Sequence, residues 1–349
     1  MADVVVQQIT KRFGQTTALA DISLDIRDGE FFVLLGPSGA GKTTSLRVIA
    51  GLERQDSGSV LFDGQPIDGL TPPERDVAFV FQQYSLYPTM SVYDNMAFPL
   101  RAPLRRVAEL EIKQRVTEVA EVLRISHLLE RKTARLSGGE MQRVSIGRAI
   151  VRRPRIFLMD EPLSNLDFKL RESLRIELKH LQKTQGSTTL FVTHDQIEAL
   201  TMADRIAVLS AGRLVQVGTP SDIYDRPATT FVAQLVGSPR INLFEARRED
   251  GIIQLTNSPI SLPSAANLPQ SFALGVRPED VQPQLDGPFS GKVALIEPLG
   301  VETVLHITSG GQTLVSTVPG MTDISLGSEL RFAINRERLH YFTPAGERI

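Results

Sequence analysis

Apolar residues along the chain gather first into short β-rich runs, Val4 to Thr10, Ile22 to Ile26 and Phe31 to Leu35. The last of these feeds a glycine-rich turn and an apolar-periodic helix reaching Ala50. Val60 to Phe62 and Val77 to Val80 read as further short strands, and then the period changes. Ile112, Val116, Val119, Ala120 and Leu123 recur at helical spacing, so residues from about Ser91 to Arg135 are expected to form a helical insertion. Strand character returns at Arg155 to Asp160, nearly all apolar as a strand covered on both faces must be. A helix through Leu170, Leu174, Leu178 and Leu181 stops near Gly186, and "TTLFV" (Thr188 to Val192) is another buried strand. Thr193 is placed to cap the next helix, and "RIAVLSAGRLVQV" (Arg205 to Val217) is a hairpin turning at Ala211 and Gly212. Strands alternating with helices predict an α/β sheet.

After about Val236 the texture shifts. Prolines thicken, helical periodicity fades, and six short strands ("SFALGV", "GKVALI", "VETVLHI", "TLVSTV", "ELRFAI", "RLHYF") predict a small β-barrel. Two domains are therefore expected, 1–235 and 236–349, with the helical part of the first at about 83–150. A chain of 349 residues, 42% of them apolar, has enough apolar surface for two cores.

Composition narrows the function. Thirty-eight basic against forty acidic residues leave a formal charge of −2, without the basic excess of a protein that grips nucleic-acid phosphates. No cysteine is present, which excludes disulfides and thiolate metal sites. The start, "MADVVVQQITKRFG", reads as a strand and not as a signal peptide. The longest apolar runs fall far short of the ~20 residues that span a bilayer, so the chain is expected to be soluble, whatever membrane it sits against.

The chemistry begins at "GPSGAGKT", Gly36 to Thr43, which matches GxxxxGKT between a strand and a helix. Backbone N–H groups of Ser38, Gly39, Gly41 and Lys42 can wrap phosphates while the Lys42 ammonium reaches the outer ones and the Thr43 hydroxyl ligates Mg²⁺. "FLMDEP" puts Asp160 and Glu161 where a buried strand runs out, the edge at which ligands of open α/β sheets gather. Asp160 is suited to holding Mg²⁺ through its water shell and Glu161 to activating water as a general base. An isolated Asp-Glu pair would read as a solvated loop; beside a phosphate loop it does not. His194 is a candidate donor to a γ-phosphate, Gln82 a candidate to orient water and Mg²⁺, and Phe13 a candidate to stack on adenine, although a lone histidine is more often structural, a loop amide is as readily incidental and a lone aromatic is more often core. "LSGGE" is locally a capping box, Ser137 with Glu140, opening a helix through Val144, Ala149 and Ile150. A capped helix start behind Gly138 and Gly139 is also an anion site.

In this order, "GPSGAGKT", Gln82, "LSGGEMQRV", "FLMDEP", "SNLD" (Ser164 to Asp167) and His194 resemble the ATPases of ABC transporters. "GVRPED" (Gly275 to Asp280) and "IEPLGVETVLHI" resemble the C-terminal regulatory β-domain, of TOBE type, in maltose and glycerol-3-phosphate importer ATPases, so the likeness spans the chain. It implies a P-loop ABC ATPase domain with a helical subdomain, followed by an OB-like β-barrel. It also implies ATP and Mg²⁺ as cofactors, with Gly36, Pro37, Ser38, Gly39, Ala40, Gly41, Lys42, Thr43 and Thr44 around the phosphates, Phe13 on adenine, and Thr43, Gln82 and Asp160 at the metal. Glu161 is then the base and His194 the switch residue. Ser137, Gly138 and Gly139 would act in trans on the ATP of a second copy in a homodimer. Two membrane permease subunits, and indirectly a solute-binding protein, are the implied partners, at the cytoplasmic face of the inner membrane. Position 140 is Glu where many relatives have Gln, Ala40 stands where many have Cys, and Phe13 replaces a more usual Tyr or Trp.

Rival readings are distinguishable. DNA-repair and chromosome-maintenance ATPases separate the same motifs by long heptad arms that this chain lacks, and translation-factor relatives carry two cassettes. Glu161 and His194 together disfavour a binding module without catalysis. Polyamine, iron and sulfate importers carry related barrels and remain alternatives, as does an exporter, against which the barrel stands.

Overall fold

Phe31–Leu35, Ile156–Asp160 and Thr189–Thr193 are buried at every position, and strands without a solvent-facing side belong inside a sheet covered on both faces. In the computed structural model, which describes residues 2–103, 106–264 and 268–349, the chain forms two units, Met1–Pro220 and Ser221–Ile349. Positions 104, 105 and 265–267, which fall within the expected helical insertion and barrel, lie outside the described residues.

The first unit opens with β1 (Val4–Phe13), β2 (Thr16–Ile26), β3 (Phe31–Leu35), α1 (Lys42–Ala50), β4 (Ser57–Phe62), β5 (Gln65–Pro66) and β6 (Val77–Val80). Three helices follow, α2 (Val92–Ala97), α3 (Glu109–Val122) and α4 (Gly138–Ile150), and α3 buries Ile112, Val116, Val119 and Ala120 as their spacing predicts. Then come β7 (Ile156–Asp160), α5 (Phe168–Gln185), β8 (Thr189–Thr193), α6 (Gln196–Met202) and the hairpin β9 (Arg205–Ser210) and β10 (Arg213–Gly218). The larger sheet has the order β10-β9-β3-β8-β7-β6, parallel except for β10, while β2-β1-β4-β5 make a separate antiparallel sheet. Helix α1 packs between the sheets, with Leu46, Val48 and Ile49 in one core with Val4, Val6 and Ile9 of β1 and Phe32 and Leu34 of β3. Because β3, β8, β7 and β6 run parallel side by side, their carboxyl ends open on a single edge, and that edge positions the site.

The second unit begins upstream of the expected boundary at 235/236. Helices α7 (Pro220–Asp225) and α8 (Thr230–Leu235) belong with it. The cause is Arg277, which is fully buried. It donates to the carbonyls of Tyr224 at 2.8 Å and Ala233 at 3.0 Å, and also to that of Val236, and its guanidinium lies 4.0 Å from the Tyr224 ring centroid. A buried cation must be hydrogen-bonded, and the helix carbonyls supply those bonds.

The barrel reading missed four strands. The unit contains β11 (Asn242–Glu249), β12 (Ile252–Leu255), β13 (Ser261–Pro263), β14 (Ser271–Val276), β15 (Val281–Pro283), β16 (Phe289–Pro298), β17 (Glu302–Ser309), β18 (Gln312–Pro319), β19 (Glu329–Ile334) and β20 (His340–Phe342). Of these, β11, β12, β13 and β15 are additions, the last two only three residues long and β11 rich in Arg and Glu on its outer face. They form two five-stranded sheets, β13-β12-β11-β14-β20 and β15-β19-β16-β17-β18. The second is an almost closed, OB-like barrel: its two edge strands approach each other, and the Ser316 hydroxyl of β18 donates to the Val281 carbonyl of β15.

His340 lies 5% exposed in this unit, and burial, with Arg277, Arg348 and Arg338 nearby, lowers its pKa to about 4. The unfolded chain, at about 6.5, therefore takes up this proton first as pH falls. Its contribution to stability is complete above pH 6.5 and is lost as pH falls toward 4, on the order of 3 kcal/mol. In calorimetric melts between pH 6.5 and 4.5, His340→Gln is expected to flatten the pH dependence of this unit's transition; equal slopes in parent and variant would contradict the assignment.

Candidate functional site

The phosphate loop is shaped by close backbone approach. A Cβ at Gly36 would meet the Leu209 carbonyl at 2.4 Å, and at Gly41, where φ is +101°, one would meet the Ala18 carbonyl at 2.7 Å. Gly41 ends the loop in the left-handed region and α1 starts at the next residue. The loop's N–H groups thus converge where the positive end of α1 lies. Lys42, 5% exposed, donates to the carbonyls of Gly36 at 2.9 Å and Pro37 at 3.0 Å. Burial depresses its pKa, and the carboxylates of Glu161 and Asp160 oppose that shift.

Opposite stands the end of β7. Asp160, 6% exposed, accepts from the Thr43 hydroxyl at 2.9 Å, and burial raises its pKa. Glu161 follows with φ +45°, in the left-handed region that non-glycine residues adopt uncommonly, and its N–H donates to the Val192 carbonyl at 3.0 Å. Its carboxylate lies 3.8 Å from Lys42 Nζ and 3.1 Å from His194 Nδ1, and accepts from Gln82 Nε2 at 3.4 Å. Lys42, Thr43, Gln82, Asp160, Glu161 and His194 are therefore neighbours, although they come from four different strand ends.

The helix after His194 is not capped by Thr193, as the sequence suggested. Asp195 is the cap, accepting from the N–H groups of Ile197 at 2.7 Å and Glu198 at 3.2 Å. Thr193, buried in β8, donates to Glu198 at 2.6 Å and accepts from the Asp195 N–H at 2.9 Å, which leaves it no role at the helix start. His194 thus sits in the turn before α6, 55% exposed at the side chain. Phe13 lies at the end of β1, 48% exposed with Lys11 Nζ 4.9 Å from its ring centroid, so it is not a core residue.

The turn at Ser137, Gly138 and Gly139 is a complete capping box with Glu140. Its own packing runs elsewhere than the phosphate loop: a Cβ at Gly138 would lie 3.1 Å from the Tyr84 hydroxyl, and at Gly139 2.0 Å from Leu170. Supporting residues escaped the sequence reading. Arg148 of α4 donates to the carbonyls of Ser85 at 2.8 Å and Tyr84 at 3.4 Å, tying the segment after Gln82 to the glycine-bearing helix. Asn165 donates to the Gln82 carbonyl at 3.2 Å, and Arg171 joins Asp195 to the Leu166 carbonyl. Only spatial proximity reveals these roles; the "SNLD" motif was the one local signal.

Thr43 and Asp160 form an all-oxygen pair suited to a hard cation. Among the described residues no three His, Cys, Asp or Glu side chains gather to hold a metal. Such a cation would take its other ligands from phosphate and water, which suits a nucleotide-borne ion.

A model of the ABC transporter family matches residues 19–164, and a TOBE-domain model matches residues 274–342. The chain is similar to the trehalose/maltose import ATP-binding protein MalK of Thermococcus litoralis, with 46% identity over 98% of each chain. It is also similar to the sn-glycerol-3-phosphate import ATP-binding protein UgpC of a Ruegeria species, with 44% identity over 100% of this chain and 99% of that one. Among solved structures, a dimeric ATP-binding cassette in a post-hydrolysis state bound to ADP and Pi resembles it at 32% identity and a TM-score of 0.57, covering 62% of this chain and 98% of that one.

Asp160 offers a test of the site's electrostatics. Burial raises its folded-state pKa above the unfolded value, so whatever it contributes to stability is present only at low pH and is lost as pH rises through the folded value. At neutral pH the charged, desolvated carboxylate costs stability. Asp160→Asn keeps an acceptor for Thr43 and should raise the melting midpoint in nucleotide-free, metal-free buffer at pH 7. A lower midpoint would show that the charge stabilises the fold.

Proposed function

The chain belongs to the ABC transporter family as the ATP-hydrolysing subunit of an importer, and from this premise we propose that it drives uptake of a carbohydrate, polyol or glycerol-phosphate-type solute. The observation that carries the catalytic part is the convergence of Lys42, Thr43, Asp160, Glu161, Gln82 and His194 on one sheet edge. The solute class rests on the full-length similarity to the trehalose/maltose and glycerol-3-phosphate import subunits.

Gly36 to Thr44 would cradle the nucleotide's phosphates, with the backbone N–H groups of Ser38, Gly39, Gly41 and Lys42 and the Lys42 ammonium as donors, and Phe13 would receive the adenine. Thr43, Gln82 and Asp160 would hold Mg²⁺, which when bound would offset the charge on the phosphate oxygens. Glu161 accepts the proton of the attacking water. His194 and Gln82, each within reach of the Glu161 carboxylate, hold that carboxylate toward the γ-phosphate side and donate hydrogen bonds there. Ser137, Gly138 and Gly139 present their N–H groups to the nucleotide of a second copy, a reading supported by the dimeric state of the solved cassette that this chain resembles.

A permease contact is supported by two adjoining cavities of about 360 and 330 Å³ that share Phe79, Phe81, Pro99 and Arg152. Exposed Leu52, Tyr87 and Phe98 stand on their rims. A groove that sets aromatic and proline side chains beside Arg148 and Arg152 suits an amphipathic helix. Among the described residues no helix of this chain is long and apolar enough to cross a membrane. The chain's likeness to import ATP-binding subunits supports a place at the cytoplasmic face, beneath two permease subunits.

Glu161→Gln keeps the side chain's size but removes the proton acceptor. The purified variant should bind Mg·ATP as the parent does and lose at least ~10²-fold in hydrolysis. Cells carrying only that allele should fail to grow on one sugar, polyol or glycerol phosphodiester. Hydrolysis within a few-fold of the parent removes Glu161 from the role, and loss of polyamine, iron or sulfate uptake with sugar growth intact overturns the solute class.

The arrangement in trans is tested by mixing Lys42→Ala chains with Gly138→Asp chains, both in the Glu161→Gln background and isolated through two affinity tags. If the glycine turn serves the partner, one site collects both lesions and the other is intact. About one nucleotide occluded per mixed dimer is expected. None in a verified mixed dimer would mean that both loops serve the same chain.

A further inference from the structure

A cavity of about 530 Å³ in the second unit is lined from β15 and β18, the edge strands of the almost closed barrel, and from the turn that leads into β17. Nothing in the ATPase chemistry uses it. Its polar lining is Glu279, Gln282, Glu302 and Thr317, and no lysine, arginine or histidine contributes. Val301, 86% exposed, stands at the mouth, and Val318 adds a second apolar surface.

The hydrogen-bonding character of the cavity follows from strand register. Asn242 accepts from the Val315 N–H at 2.7 Å and donates to its carbonyl at 2.8 Å, so both backbone groups of Val315 point away from β17. Antiparallel alternation turns the N–H and C=O of Thr317, two residues on, to the same side, toward the seam. Glu279 already accepts from the Tyr224 hydroxyl at 2.8 Å and lies 3.9 Å from Arg338, which offsets its charge. Glu302 has no ion pair among the described residues. The cavity thus presents a backbone donor, a backbone acceptor, an amide, a hydroxyl and one uncompensated carboxylate beside apolar valines.

We propose that this cavity is a binding site for a neutral polyhydroxylated compound, a sugar or polyol. A hydroxyl both donates and accepts, so it satisfies the Glu302 carboxylate and the Thr317 N–H alike. An ammonium group offers nothing to the N–H, and a phosphate offers nothing to the carboxylate and is repelled by it. The valines receive the C–H face of a sugar ring, as mixed apolar and polar pockets do. Binding here is independent of the transport reading, because a chain with no hydrolytic activity would retain it.

The test is saturation-transfer NMR and isothermal titration of maltose into the purified full chain without nucleotide. Maltose should bind. Glu302→Gln should weaken it about tenfold or more, the effect of removing a charged hydrogen-bond acceptor. Val301→Trp, at a position too exposed to endanger folding, should block the mouth and abolish binding. The proposal is overturned if maltose, trehalose and glycerol all fail to bind at up to about 10 mM. It is equally overturned if binding survives both substitutions, or if spermidine or glycerol 3-phosphate binds in place of the sugars with the same sensitivity to Val301→Trp.

Discussion

A strand buried on both faces can carry charge only where it leaves the sheet, and that constraint organises the first unit. β7 is apolar until Asp160, its last residue, and Glu161 follows immediately in a left-handed turn. β3 gives way to the phosphate loop and β8 to His194 under the same rule. With the strands parallel and adjacent, charged and polar groups from distant parts of the chain are delivered to a common edge.

What gathers there is costly to hold. Lys42 is desolvated enough for its pKa to fall although two carboxylates oppose the shift, and Asp160 is desolvated enough for its own to rise although Thr43 donates to it. Groups arranged in this way are matched to a charged ligand more than to one another, which is the usual trade between stability and activity at a functional site. Glu161 is the junction: lysine, histidine and glutamine all address its one carboxylate.

The second unit is organised by a buried cation instead of a buried strand. Arg277, from "GVRPED" and directly after β14, draws the ends of α7 and α8 onto the end of that strand through their carbonyls, and for that reason the unit begins before the change in sequence texture does. Among the described residues its Nε has no hydrogen-bond partner, and neither has Asp280 Oδ2, so the cluster is packed at the limit of what it can satisfy.

By itself the sequence determined most features whose physics is local. The phosphate loop, the apolar runs of β3, β7 and β8, the face of α3 and the capping box at Ser137 each depend on residues within one turn or one strand, and each was legible. The supporting contacts were not: Arg148 with Tyr84 and Ser85, Asn165 with Gln82, and Arg277 with three carbonyls in and just after α7 and α8 join residues 41 to 83 positions apart, with no periodicity to announce them. The cap at Asp195 was misread because Thr193 and Asp195 are both able cap residues and only the buried Glu198, which claims the threonine hydroxyl, decides between them. Short strands such as β13 and β15 exist only because a neighbour pairs with them. Tertiary structure decided these, because a hydrogen bond between distant residues is specified by where the fold brings its partners and not by either partner's own sequence.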